Sequence, residues 1–212
     1  MSKQVTLSDP LQAMTHPASP DTPDDFARSW DARYEGATAI PKPALVLRQW
    51  PHLLPEGGTA LDLACGLGAN ALWLAERGFR VSAWDLSHTA IARLREAARL
   101  RGLHLDARVR DLTALPPSPE SFDLILVAHF LDRDLAPSIA AALRPGGLLF
   151  YQTFARESRG CRGPTNPAYR LARNELINLF PDLTIRAYRA EGRLAPPESG
   201  LGDLALMVAQ RV

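Results

Sequence analysis

The sequence has few cysteines, almost no lysine and no long apolar run. Its two cysteines, Cys65 and Cys161, are too few for a disulfide framework or a cysteine metal cluster. We therefore expect a reducing compartment and no bound metal. No stretch reaches the about 18 consecutive apolar residues of a membrane-spanning helix, and the N-terminus has no apolar signal segment. These absences predict a cytoplasmic protein that does not enter a membrane.

A large net charge is also missing. The formal charge is +1 at pH 7, whereas nucleic-acid-binding domains are usually clearly basic on one face. We therefore do not expect nucleic acid as a partner. Only Lys3 and Lys42 are lysines, which leaves 22 arginines among 24 basic residues and is typical of a bias in codon composition. Whether the arginines of residues 156–173 steer an anion or form a solvated surface stays open.

Apolar residues make up 46% of the chain, which is enough for the core of one domain. Residues 1–24 contain four prolines among polar side chains and predict a flexible arm. Residues 25–212 are predicted to form one domain. Its first part, residues 25–55, is a helical lid segment that carries aromatic residues and is interrupted by glycine and proline. The sequence indicates no oligomeric state.

From residue 59 onward, apolar strand patterns alternate with amphipathic helix patterns. The predicted strands cover residues 59–64, 79–84, 105–109, 122–128, 148–154, 183–188 and 204–212. The predicted helices cover residues 69–77, 87–101, 135–143 and 171–180, and a turn is predicted at residues 144–147. Such alternation is typical of a parallel sheet with helices on both faces, and no helix separates the last two strands. The sequence therefore predicts an α/β, Rossmann-like doubly wound fold, with a mostly parallel seven-stranded sheet and a C-terminal antiparallel hairpin.

A glycine-containing loop joins the first strand of this alternation to the first helix. It has the sequence Asp62-Leu-Ala-Cys-Gly66-Leu-Gly68. Glycines let the backbone approach a ligand closely, and the N-terminus of the following helix offers unpaired N–H groups. Asp85 ends the second strand, 19 residues after Gly66, where its two oxygens can accept hydrogen bonds from both hydroxyls of a ribose. The loop and this carboxylate predict a nucleoside site.

Two kinds of nucleoside cofactor are compatible with this loop. The spacing Gly66-x-Gly68-x-x-Ala71, with an acidic residue about 20 positions later, also matches the fingerprint of nicotinamide dinucleotides. Asp62, expected near the open edge of the sheet, opposes a pyrophosphate and favours a cation. The short region before the loop leaves little room for a nicotinamide and its substrate. These features favour a cationic nucleoside, and an NAD(P)-dependent oxidoreductase stays the lesser alternative.

Five sequence blocks extend this pattern along the chain, and they resemble the class I S-adenosylmethionine-dependent methyltransferases over residues 26–212. The blocks are LDLACGLGANALWLAERG, VSAWDLS, ARVRDLTALP, FDLILVAHFL and LRPGGLLFYQTF. The family usually has a glycine where this chain has Ala64. Within the class, the segments WDARY, GANALW, GPTNP and NEL are similar to the tellurite-resistance and thiopurine type of small-molecule methyltransferase.

The resemblance implies S-adenosylmethionine as the cofactor and methyl transfer to a small-molecule acceptor, such as a thiol or a chalcogen oxyanion. His129, which ends the fourth strand, is the candidate catalytic residue. It either orients the acceptor, accepts a proton, or is a structural histidine beneath a loop. A non-catalytic regulator that binds S-adenosylmethionine is the main alternative function. The residues expected to bind the cofactor are Tyr34, Asp62, Ala64, Gly66, Gly68, Asp85, Leu86, Asp111 and Leu112.

Two of these assignments have structural alternatives. Asp111 and Leu112 are expected to hold the adenine, but an aspartate at such a place also caps helices. Trp30, Arg33 and Tyr34 are expected to form a lid over the methionine end of the cofactor, although ordinary helix packing explains Trp30 equally well. Both alternatives stay open at the level of the sequence.

Overall fold

The computed structural model describes residues 23–157, 162–194 and 201–212. The predicted N-terminal arm lies outside the described residues except for its last two positions, and so does Cys161. Within the described ranges, no helix is both long enough and apolar enough to cross a membrane.

A seven-stranded sheet forms the centre of the described chain. Its strands lie in the order β3-β2-β1-β4-β5-β7-β6. Strands β1 to β5 pair in parallel, and β7 is inserted antiparallel between β5 and β6. The α/β, Rossmann-like fold and its antiparallel hairpin are thereby confirmed. The strands are β1 Thr59–Leu63, β2 Arg80–Asp85, β3 Asp106–Val109, β4 Phe122–Ala128, β5 Leu143–Phe154, β6 Thr184–Ala190 and β7 Leu204–Gln210.

Helices cover both faces of this sheet and create two apolar cores. Leu72 and Leu94 belong to one core together with Leu126 of β4, whereas Ile139 belongs to the other together with Ile125. Successive residues of a strand point to opposite faces, so both faces of β4 are buried and the strand is almost entirely apolar. The helices are α1 Pro23–Glu35, α2 Leu45–Gln49, α3 Ala69–Ala75, α4 His88–Leu100, α5 Ala136–Ala142 and α6 Glu175–Asn178.

Helix α4 begins and ends as the sequence predicts. The Ser87 hydroxyl accepts a hydrogen bond from the Ala90 N–H at 3.0 Å, so Ser87 is the N-cap. Gly102 follows the helix with a φ of 65°, a conformation that glycine adopts without strain. Helix α1, which contains the first part of the predicted lid segment, packs against α4.

The helix predicted for residues 171–180 is wrong in length, since only the four-residue α6 forms there. Leu171 instead pairs with Ala155 as a β-bridge, and Asn174 has a left-handed φ of 58°, which interrupts a right-handed helix. The helical pattern of this segment is therefore overridden by a contact with the end of β5.

The turn predicted at residues 144–147 lies inside β5. The strand pairing passes there from Phe122 opposite Leu143 to Leu124 opposite Leu148, so the segment forms an irregularity in the strand. The backbone of Arg211 exchanges hydrogen bonds with Gly146 and Gly147, at 2.7 and 3.0 Å. Arg211 thus extends the pairing of β7 along residues 146–147, whose sequence predicts a turn.

Candidate functional site

The glycine loop lies at the carboxyl edge of the sheet, between β1 and α3. Ala64, Gly66 and Gly68 all have a positive φ, of 54°, 52° and 75°. A Cβ atom at Gly68 would lie 2.2 Å from Cδ1 of the buried Leu94, so any other residue here requires Leu94 to shift. Ala64 also adopts this left-handed conformation, which costs a residue other than glycine roughly 1–2 kcal/mol. Strain of this kind is common at functional sites.

Asp85 connects the glycine loop to the start of α4. Its Oδ2 accepts a hydrogen bond from the Gly66 N–H at 2.7 Å, and its Oδ1 accepts one from the Ser87 N–H at 2.9 Å. The side chain is buried, and burial raises the pKa of this carboxyl. Leu86, which lies between Asp85 and Ser87 in the chain, is half-buried. The structure thus brings together three of the predicted site residues, Gly66, Asp85 and Leu86.

Asp62 lies deeper than the sequence suggests, beneath the first turn of α3. Its Oδ2 accepts a hydrogen bond from the Ala71 N–H at 2.9 Å and so caps a helix whose own N-cap, Gly68, has no side chain. Its Oδ1 is buried and has no hydrogen-bond partner among the described residues. Burial raises the pKa of Asp62 to about 8, although the hydrogen bonds from Ala71 and from the Asn70 side chain lower it.

Tyr34 lies directly against the glycine loop. Its hydroxyl oxygen is 2.8 Å from the position that a Cβ atom of Gly66 would take, and burial raises the pKa of this tyrosine well above its ordinary value. Trp30 stacks on Tyr34 with ring centroids 5.8 Å apart, and the Arg33 guanidinium lies over Trp30. Helix α1 therefore covers the loop through Tyr34, whereas Trp30 and Arg33 support that tyrosine.

Asp31 fastens α1 to α4 and was not predicted from the sequence. Its Oδ1 accepts hydrogen bonds from the Ser87 hydroxyl at 2.5 Å and from the Thr89 N–H at 2.9 Å. Arg93 adds a second connection by donating to the backbone carbonyl of Tyr34. Asp31 precedes Tyr34 by three residues, which places both on the same face of a helix, and this spacing is the feature of the sequence that points to Asp31.

Asp111 and Leu112 follow β3 at the same edge of the sheet. The Arg110 N–H donates to the Asp85 carbonyl at 2.8 Å, which places the following residue beside the end of β2. Asp111 Oδ1 accepts hydrogen bonds from the Thr113 N–H and hydroxyl, at 2.9 and 2.7 Å, and Leu112 is buried. Asp111 therefore caps a turn and not a helix, and its contact with an adenine stays a prediction.

His129 directly follows β4 at this edge and has a left-handed φ of 59°. Its backbone N–H donates to the Gln152 carbonyl at 2.9 Å, and its ring Nε2 is 2.9 Å from Gln152 Nε2. The ring also packs on Phe154, with centroids 5.2 Å apart. His129 and the group around Gly66 and Asp85 thus lie at the same edge of the sheet, on neighbouring strands of its centre.

Part of the chain is similar to known methyltransferases. Residues 60–147 match the family model described as a methyltransferase domain. A segment with 60% of this chain is 30% identical to the probable S-adenosyl-L-methionine-dependent methyltransferase TehB of Haemophilus influenzae, and it covers 46% of that protein. Another segment, with 48% of this chain, is 37% identical to the ubiquinone biosynthesis O-methyltransferase of Methylocella silvestris and covers 41% of it. The chain thus spans less than half the length of these curated relatives.

Solved structures share the fold over most of this chain. The crystal structure of TehB from Haemophilus influenzae has a TM-score of 0.64 over 90% of this chain and 68% of that chain, at 23% identity. The cyclase SpnF has a TM-score of 0.69 over 93% of this chain and 98% of that chain, at 18% identity. Residues 60–147 thus match the methyltransferase-domain model, and the chain shares its fold with TehB and SpnF.

Proposed function

We propose that this protein transfers a methyl group from S-adenosylmethionine to a small-molecule acceptor. The observation that carries the proposal is the buried pair of carboxylates, Asp62 and Asp85, at a glycine loop within the residues that match the methyltransferase-domain model. Similarity to TehB and to the ubiquinone biosynthesis O-methyltransferase supports the same type of reaction. SpnF shares the fold and is a cyclase, so the fold alone does not decide the reaction.

The charge of the loop fits this cofactor. Within the described ranges, Asp62 and Asp85 form no ion pair, and burial raises the pKa of both. A cationic ligand therefore relieves an unfavourable site, whereas the pyrophosphate of a nicotinamide dinucleotide brings further negative charge to it. S-adenosylmethionine carries an ammonium, a sulfonium and a ribose diol, which are the groups that two carboxylates can bind. An NAD(P)-dependent oxidoreductase is disfavoured for the same reason.

When bound, the cofactor supplies an electrophilic methyl group, and the chain's own residues have to orient it and keep out water. We assign the ribose to Asp85, because its two oxygens, which accept hydrogen bonds from the Gly66 and Ser87 N–H groups, have further lone pairs that can accept hydrogen bonds from the ribose hydroxyls. Tyr34 and the rest of α1 close the loop from solvent. Good alignment of the methyl donor and the acceptor in a dry site lowers the free-energy barrier of the displacement by several kcal/mol. A thiolate or chalcogen oxyanion acceptor needs no base, which fits the absence of a Ser-His or Cys-His pair near the described site.

Thermal unfolding tests the cofactor, and product formation tests the reaction. S-adenosylhomocysteine at 100 times its dissociation constant is expected to stabilise the protein by about 2.7 kcal/mol, while NAD(H) and NADP(H) have no effect. Incubation of the protein with S-adenosylmethionine and a panel of thiols, selenite, tellurite and phenols is expected to release S-adenosylhomocysteine. Binding without turnover of any acceptor would instead favour the non-catalytic regulator, and stabilisation by NAD(P)H would favour the oxidoreductase.

Asp62→Asn is expected to stabilise the free protein and to weaken cofactor binding. The pKa of Asp62 is about 8 in the folded protein and 3.8 as its ordinary value, so the folded state retains a proton that the unfolded state loses between these two pH values. Stability therefore falls as pH rises through this window, and the neutral amide removes that loss. We expect a gain of about 1–3 kcal/mol at pH 7, measured by urea unfolding at pH 5, 7 and 8.

Asp106→Asn is the matched control for Asp62→Asn, because Asp106 is an exposed aspartate of edge strand β3 that forms a surface ion pair with Arg108. It is expected to change the stability by less than about 1 kcal/mol at every pH. If Asp62→Asn has the same stability and the same pH dependence as the unchanged protein, the raised pKa of Asp62 is wrong; an unchanged affinity for S-adenosylmethionine would contradict its role in binding the cofactor.

A further inference from the structure

Gln152 is a buried amide within an otherwise largely apolar strand, β5, and is only 2% exposed. Buried polar side chains are almost always hydrogen-bonded, because an unpaired one costs roughly 1–3 kcal/mol. The two ends of this amide have different chemistry, since the oxygen only accepts hydrogen bonds and the NH₂ group only donates them. Its two contacts therefore determine which groups it can face.

The oxygen end of Gln152 is fixed by helix α2. The Val46 N–H donates to Gln152 Oε1 at 2.9 Å. A backbone N–H can only donate, so the amide atom that faces it has to be the oxygen. Helix α2 has no side-chain cap of its own at Ala44, and Gln152 satisfies one of its free N–H groups from a strand 106 residues away. A rotated amide would leave Val46 facing another donor.

The NH₂ end of Gln152 then faces His129. Gln152 Nε2 lies 2.9 Å from His129 Nε2. Because the amide nitrogen can only donate, the ring nitrogen has to accept, and an accepting ring nitrogen carries no proton. The proton of the neutral ring is consequently on Nδ1. A doubly protonated ring would place two donors against each other inside the protein, which disfavours the imidazolium form.

The position of the ring is as constrained as its protonation. The backbone N–H of His129 donates to the Gln152 carbonyl, so one residue of β5 holds both the main chain and the ring of the histidine. Phe154 packs against the ring, and the left-handed φ of 59° persists in a residue that is not glycine. Such an over-determined side chain at the carboxyl edge of a parallel sheet is expected near a ligand.

We propose that Gln152 is a positioning residue that keeps His129 neutral, with its proton on Nδ1 and its Nε2 unable to take a proton. The consequence for the reaction rests on the proposed methyl transfer. If His129 is not a base, the acceptor has to arrive already deprotonated, as an oxyanion or the thiolate form of an acidic thiol does near neutral pH. Acceptors that need to lose a proton, such as alcohols, are then poor substrates. Of the three roles open to His129, proton acceptance is the one that this geometry excludes.

Nuclear magnetic resonance of the free protein tests the tautomer without cofactor or turnover. Long-range proton–nitrogen spectra of ¹⁵N-labelled protein distinguish a protonated from an unprotonated ring nitrogen, and a His129→Asn sample identifies the His129 signals. We expect Nδ1 protonated and Nε2 unprotonated in the unchanged protein above pH 7. A protonated His129 Nε2 in the unchanged protein would overturn the proposal and would leave the proposed methyl transfer untouched.

Gln152→Glu is the matched variant, because it keeps the length of the side chain and the acceptor for Val46. A carboxylate in this place accepts a hydrogen bond from His129, so the ring proton is expected to move to Nε2. The Nε2 signal then becomes that of a protonated nitrogen and the Nδ1 signal that of an unprotonated one. Activity gives the second measurement. The unchanged protein is expected to prefer thiolate over alcohol acceptors by at least about 100-fold in kcat/KM, and Gln152→Glu is expected to narrow this ratio. An unchanged tautomer in the folded variant would contradict the positioning role.

Discussion

Asp85→Ala is expected to weaken the binding of S-adenosylhomocysteine by about 100-fold or more. Hydrogen bonds to a charged group contribute about 1.5–3 kcal/mol each, and the assigned carboxylate accepts two from the ribose. Their loss corresponds to roughly 3–6 kcal/mol, and each 1.4 kcal/mol is tenfold in affinity. Isothermal titration calorimetry with the purified variant measures this change directly.

The structure shows that Asp85→Ala also disturbs the free protein, because the N–H groups of Gly66 and Ser87 lose their acceptor. Asp123→Ala is the control for this effect. Asp123 accepts a hydrogen bond from the Thr59 N–H at 2.7 Å and pairs with Arg144, but it lies at the opposite, amino end of the parallel strands. Asp123→Ala is expected to lower stability and to keep the affinity. Equal affinity in both variants would refute the assignment of the ribose to Asp85.

Gly68→Ala is expected to destabilise the protein by roughly 2–5 kcal/mol. A left-handed φ costs a residue with a Cβ atom roughly 1–2 kcal/mol, and overpacking a buried site adds about 1–3 kcal/mol. Both apply to Gly68, whose φ is 75° and whose added Cβ would lie between 2.2 and 2.8 Å from three atoms of Leu94. Urea unfolding of the free protein measures the loss.

Gly78→Ala separates these two costs. Gly78 has a φ of 85°, but an added Cβ there meets no atom within 4 Å. The expected loss at this position is therefore only the backbone cost of roughly 1–2 kcal/mol. Equal losses at Gly68 and Gly78 would show that Leu94 moves aside without cost and that the close packing of α4 on the loop does not constrain the site.

The elements near the site follow from local patterns in the chain. Strand β4 has the predicted bounds, residues 122–128, because a run of apolar residues buried on both faces is a local feature. Ser87 caps α4 as predicted, since capping depends on residues three positions apart. The glycine loop and Asp85 also meet as expected, because adjacent parallel strands end at the same edge of a sheet.

Contacts between distant residues were not predictable in the same way. Asp31 reaches Ser87 across 56 residues, and Val46 reaches Gln152 across 106. A polar residue within an apolar strand, as in the segment LLFYQTF, marks Gln152 as unusual, but the sequence contains nothing that identifies its partners. The helix predicted after β5 was too long for a related reason, since the bridge between Leu171 and Ala155 replaced the first part of a locally plausible helix.

The amino-acid sequence by itself determined the order of strands and helices, the place of the glycine loop and the edge at which ligand-binding residues gather. Those features depend on hydrophobic periodicity and on residues close together in the chain. Only the tertiary structure decided that Asp62 lies beneath α3, that α1 closes on the loop through Tyr34, and that His129 is paired with Gln152. The protonation of a side chain depends on the donors and acceptors that surround it, and these come from strands and helices that only folding brings together.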